Sequence, residues 1–96
     1  MSAETAVWRS VPRERLIWTS WGEDFIVFHR PSGITHFLNA ASHYLVDDFL
    51  RQPRTVADVG AEMLALTGGE NEPATVRRHM HSLLSRLEEI GLVERV

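Results

Sequence analysis

Asn39 divides this chain into two halves with different hydrophobic periods, and that division constrains the fold more than any other feature. Before it lie Trp8, Trp18, Trp21, Phe25, Phe28 and Phe37, with β-branched Ile17, Ile26, Val27, Ile34 and Thr35. Short aromatic and β-branched runs separated by turn residues are a strand signal. They predict strands at residues 16–20, 24–29 and 34–38. Trp21-Gly22-Glu23 joins the first pair and Arg30-Pro31-Ser32-Gly33 the second. The glycines accept positive φ, and Pro31 pre-sets a turn position. Links this short favour a meander, which leaves the third strand at an edge. Phe25-Ile26-Val27-Phe28 is apolar on both faces and predicts a central strand covered by helices. Residues 1–12 are expected either as a flexible tail or as an extra strand anchored by Val7 and Trp8.

After Asn39 the period becomes helical. Asn39 is a good N-cap. Ala41, Tyr44, Leu45, Asp48 and Phe49 fall on one side of a helix ending near Gln52-Pro53, with Asp48 at the margin. Thr55 starts a second helix, with Asp58 three residues later in capping-box position. Its expected buried side is Val56, Val59, Met63, Leu64 and Leu66; Gly68-Gly69 stops it, and residues 68–73 read as loop. A third helix is expected over residues 74–90, where Val76, Met80, Leu83, Leu84, Leu87 and Ile90 repeat at helical steps. At 100° per residue they span an arc of about 120°, the width of a face lying on a core. Gly91 ends it, and Leu92-Val93 returns to the core. Pattern alone therefore gives an α+β chain of three antiparallel strands followed by three helices.

Composition narrows the function classes. Ninety-six residues fit a single domain over 1–96, with residues 1–14 flexible or adding a strand. Such a chain buries roughly 60–65% of its unfolded surface. Cysteine is absent, so no disulfide, thiolate metal site or cysteine nucleophile is available. No apolar run approaches the ~20 residues of a membrane span. Residues 1–12 lack the apolar centre of a secretory signal. A cytoplasmic protein is the expectation. No glycine-rich phosphate loop or G-x-S-x-G elbow is present, and Gly68-Gly69 lies between helices, so no cofactor or enzymatic activity is expected. Asp47-Asp48 diverges by about 100° on a helix and reads as solvated charge. Of five histidines, His29, His36 and His43 lack metal-ligand spacing, while His79 and His81 lie about 200° apart on a helix. No metal is expected; His36 reads either as a structural ring bonded to a backbone carbonyl or as part of a binding groove.

The β-β-β-α-α-α order, with Ser32-Gly33, Thr35-His36 and Leu38-Asn39 at its centre, resembles the PqqD-like proteins. More narrowly, it resembles the subgroup associated with a kinase-related system called HPr-rel-A. Tyr44-Leu45, the Pro53-x-Thr55-Val56-x-Asp58-Val59 helix start and the closing Leu87-x-x-Ile90-Gly91-Leu92-Val93 support the likeness, which covers about residues 15–95. The resemblance implies a winged helix-turn-helix-like fold and a non-catalytic peptide chaperone, the recognition element of a peptide-modifying system. Its partners would be a precursor or leader peptide and a modifying or kinase-related enzyme. In that family the peptide adds as a strand to the third strand and packs against the third helix.

The residues are compatible with that mode. Residues 34–38 contain no proline, lysine or acid, the devices that usually protect a strand edge. Ile34, Thr35, His36, Phe37 and Leu38 are therefore candidate peptide-binding residues, with Arg77, His79 and Arg86 on the third helix as partners for acidic side chains. Two alternatives stand beside this reading. The edge is covered by the N-terminal segment, or the helix charges are merely solvated, Arg86 pairing with Glu89 along the helix. Periodicity does not decide which flank, His79 and Arg86 or Arg77, faces the strand. A winged-helix DNA-binding regulator is the competing class, opposed by the net charge of −3 and by Glu70, Glu72, Glu88 and Glu89. The expected assembly is a monomer or a weak homodimer through the open edge.

Overall fold

A computed structural model describes residues 6–68 and 72–96. Residues 1–5 of the expected N-terminal segment and 69–71 of the expected loop, including Glu70, lie outside the described residues. Three strands follow one another as an antiparallel meander: β2 (Leu16–Trp21), β3 (Asp24–His29) and β4 (Ile34–Leu38). Gly33, at φ +71°, closes the β3–β4 turn in the left-handed region, where a side chain would be strained. Pairing of Trp18 with Val27 and of Val27 with His36 sets the register. That register places Leu16, Trp18, Phe25, Val27, His36 and Leu38 on one face, and Ile17, Ile26, Phe28 and Phe37 on the other.

Only the first of these faces is covered. The helix α1 (Ala40–Asp47) lies over it, with His43 stacked on Phe25 at 3.9 Å and edge-on to Trp18 at 4.7 Å. On the opposite face Ile17, Trp21 and Phe37 are 53%, 75% and 65% exposed. The expectation of a central strand covered on both faces is thus corrected. All the helices pack from one side, and β3 buries Val27 but leaves Ile26 and Phe28 half-exposed.

Two of the three helices begin with the side-chain caps that the sequence predicts, and the third begins one residue early, at a proline expected in the loop. The Asn39 side chain accepts a hydrogen bond from the Ser42 amide at 2.8 Å. Thr55 and Asp58 form a reciprocal capping box at the start of α2 (Val56–Thr67). Pro73 occupies the first turn of α3 (Pro73–Glu89), where its missing N–H leaves no bond unmade. The buried sides differ from expectation in two places. Helix α1 stops at Asp47, and a 3-10 turn at Phe49–Arg51 re-aims the chain so that Leu50 enters the core. Ser42, Leu45 and Val46 become the buried side, while Ala41 and Asp48 are exposed. In α2, Val56, Val59, Gly60 and Met63 are buried, but Leu66 is 60% exposed because it lies in the last turn, beyond the last buried position. Along α3, Val76, Leu84 and Leu87 are buried, with Met80, Leu83 and Ile90 packed at the margin of the core.

A second small sheet ties the ends of the described chain together. Strand β1 (Val7–Ser10) runs between β5 (Arg54–Thr55) and β6 (Val93–Arg95), antiparallel to both. Trp8 is its anchor: fully buried, edge-on to His81 of α3 at 5.7 Å, with the Arg95 guanidinium 5.0 Å above its ring. Ser10 donates to the Val46 carbonyl of α1, and Arg51 donates to the Val11 carbonyl at 2.8 Å. The α+β architecture of a three-stranded antiparallel sheet with three helices is therefore present, with β1, β5 and β6 added to it. Among the described residues no helix is long and apolar enough to cross a membrane.

Candidate functional site

The outer edge of β4 is unpaired among the described residues. Strand order in the meander is β2-β3-β4, and the N-terminal strand pairs with β5 and β6. Within the N-terminal segment Val7–Ser10 form β1, which lies in the other sheet and does not pair with β4. The edge is also apolar and accessible: Ile34 is 54% and Phe37 65% exposed, and Thr35 is exposed. Exposed apolar side chains on an unprotected edge are what most soluble proteins avoid.

Beside that edge lies α3. A hollow of about 390 Å³ separates them, lined by residues 36–39 and Ser42 on one side and by Leu83, Arg86, Leu87 and Ile90 on the other. The neighbouring depression along α3 is lined by His79, Ser82, Leu83 and Arg86. The flank left open by periodicity is therefore the one bearing His79 and Arg86. Arg77 sits on the other side of the helix, where its backbone packs over Gly60 of α2, and it does not line the hollow. The reason is the placement of Trp8 and α2 against that flank, a tertiary fact that helix geometry does not contain. Of the sequence-derived candidates, His36, Phe37, Leu38 and Arg86 come together. Ile34 and Thr35 continue the same edge, and His79 lies one turn further along the helix.

Electrostatically the wall is positive in an acidic chain. The charged side chain of the hollow is Arg86, and no carboxylate lines it. Among the described residues Arg86 makes no salt bridge, so the alternative in which it pairs with Glu89 along the helix is not formed. His36 lies within the hollow with its Nε2 buried and without a hydrogen-bond partner. Of the two readings of His36, a ring bonded to a backbone carbonyl or a part of the groove, the buried Nε2 makes no such bond and the ring lines the hollow. Burial, and secondarily the nearby His29, push the His36 pKa below its ordinary 6.5. His29 shares the inner face with His36, and its Nδ1 sits 2.7 Å from the Ser32 hydroxyl in the β3–β4 turn. No group of three or more potential metal ligands converges among the described residues.

Sequence reasoning missed Leu83, Leu87 and Ile90 as lining residues. They were legible only as core positions, because the amphipathic stripe of α3 does not say where the core ends and the groove begins. Asn39 was read through its cap alone, and Ser42 was not singled out.

No protein-family model matches the sequence, and no curated protein matches it. Among solved structures, the chain is similar to a lasso peptide synthetase B1 complexed with the leader peptide. The TM-score is 0.66 at 22% identity, over 91% of this chain and 96% of the other. This chain therefore shares the fold of a protein solved with a peptide bound to it.

Proposed function

We propose that this protein is a non-catalytic, cytoplasmic peptide-recognition module. It binds a precursor or leader peptide by strand addition at β4 and presents it to a modifying enzyme. The observation that carries this reading is the unpaired β4 edge facing the basic, apolar flank of α3 across the hollow. Main-chain hydrogen bonds from β4 give the added strand its affinity, and alternate side chains of the peptide enter the hollow. Leu38, Leu83 and Leu87 receive an apolar side chain there. Arg86, with His79 beyond it, receives a carboxylate through charge-assisted hydrogen bonds. Similarity of fold to a synthetase B1 solved with its leader peptide supports the same assignment. The sequence resemblance to PqqD-like proteins of the HPr-rel-A subgroup supports a kinase-related enzyme as the recipient.

The test uses peptides captured on the full chain from a displayed library of random 16-residue sequences. Thr35→Pro or Phe37→Pro should abolish binding of the captured peptides while helicity by circular dichroism is retained. A peptide N-methylated at alternate backbone amides should also lose binding, and this arm needs no change in the protein. Undiminished binding in a folded proline variant and by every N-methylated peptide would overturn strand addition.

A further inference from the structure

The β4 edge is short, yet the surface hollows do not stop where it ends. Three depressions follow one another along a single side of α3. The first, beside β4, shares Leu83 and Arg86 with the second, which in turn shares His79 with a third. The third is a hollow of about 350 Å³ between α2 and α3, lined by Met63, Thr67, Thr75, Val76, His79 and Met80. Its two methionines have flexible, polarisable side chains that adapt to varied apolar partners. Among the described residues that line the three, Arg86 carries a charge and His36 and His79 can take one, and no carboxylate is present.

We infer that the peptide bound at β4 continues past the end of that strand along α3 and seats a large apolar side chain in the Met63–Met80 hollow. This rests on the peptide-docking reading and extends it from an edge to a two-anchor site. The occupant is argued from continuity, since neighbouring hollows share lining residues, Leu83 and Arg86 between the first two and His79 between the last two. It is argued also from charge, since Arg86 and His79 lie between the two apolar ends. The geometry fixes a register. From Arg86 to the centre of the third hollow is about eight helical positions, roughly 12 Å at 1.5 Å each. Extended chain covers that distance in three to four residues of about 3.3 Å. The recognised class is therefore a peptide of at least about nine residues, carrying an acidic residue with a large apolar residue three or four positions away.

Peptides selected from the random 16-residue library on the wild-type full chain provide the probe. The selected sequences should share an acidic residue spaced three or four positions from Leu, Ile, Met or an aromatic. Thr75→Trp, which fills the third hollow, should weaken a selected full-length peptide at least tenfold, yet leave unchanged the same peptide cut back to its β4-binding part. As a readout independent of that variant's folding, titrating wild-type protein with the full peptide should shift the backbone amides of Thr67, Thr75 and His79. The cut peptide should shift those around residues 35–38 and 83–87 and leave those of Thr67 and Thr75 in place. If the full peptide moves no amide of the third hollow, or binds a folded Thr75→Trp protein as tightly as wild type while Phe37→Pro abolishes binding, the second anchor is wrong and edge docking survives. If Phe37→Pro leaves binding intact in a folded protein, or the library yields no binder, edge docking fails and the second anchor with it.

Discussion

At the scale of single residues, the caps were written plainly in the sequence and the histidines were not. Asn39 and Thr55 each cap the amide three residues on, so local sequence specifies their partners. The environment of His36 depends on burial beneath distant elements, and the sequence carried no sign of it. Its pKa is lowered by desolvation first and by His29 second, so the folded state disfavours the charged ring. The unfolded chain then binds more protons between the lowered folded value and 6.5. Stability should accordingly fall as pH drops through about 6.5 and level off below the folded-state pKa. Thermal melts of wild type and His36→Gln over pH 4–8 check this, the variant lacking that part of the slope. Gly91 offers a second residue-scale expectation. Its φ is +85°, and a Cβ there would lie 2.7 Å from His29 Nε2. Gly91→Ala should destabilise by about 1–3 kcal/mol through backbone strain and displacement of that ring, read from the urea midpoint.

At the scale of elements, local signals and tertiary outcomes agree where one short segment makes its own bonds. The capping box of α2 is such a case, with Thr55 Oγ1 accepting from the Asp58 amide at 3.1 Å and Asp58 accepting from the Thr55 amide at 3.0 Å. Thr55→Ala should cost about 1 kcal/mol, measurable by chemical denaturation, without altering the fold. The meander was equally legible, because its strands are joined by short turns and pair with sequence neighbours. Strands β5 and β6 were invisible for the opposite reason. Their two and three residues have no periodicity to detect, and they pair with β1 across about half and nearly all of the chain length respectively. Helix α3 sits between these cases. Its apolar stripe gave its existence and extent within a residue of Pro73–Glu89, whereas its groove-facing flank was decided by what packs on the other side.

At the scale of the whole molecule, one residue joins the halves. Trp8 is fully buried between the second sheet and α3, and its strand closes the chain near both termini of the described structure. Trp8→Ala should cost about 3–5 kcal/mol, a large part of the 5–15 kcal/mol that holds a small domain folded. Calorimetry should show a strongly lowered or absent transition, with β4 losing its fixed relation to α3. The exposed Ile17, Trp21 and Phe37 belong to this scale as well, since they follow from stacking every helix on one face of the meander. The sequence by itself determined the strand and helix order, the turns, the caps and the lack of protecting charges on residues 34–38. Periods, turn chemistry and composition are local properties, so a linear reading captures them. The tertiary structure alone decided that β1 joins a separate sheet, that no described residue pairs with the outer edge of β4, and that His79 and Arg86 rather than Arg77 face that edge. Those outcomes rest on pairing and burial between residues far apart in the chain, which no period or spacing encodes.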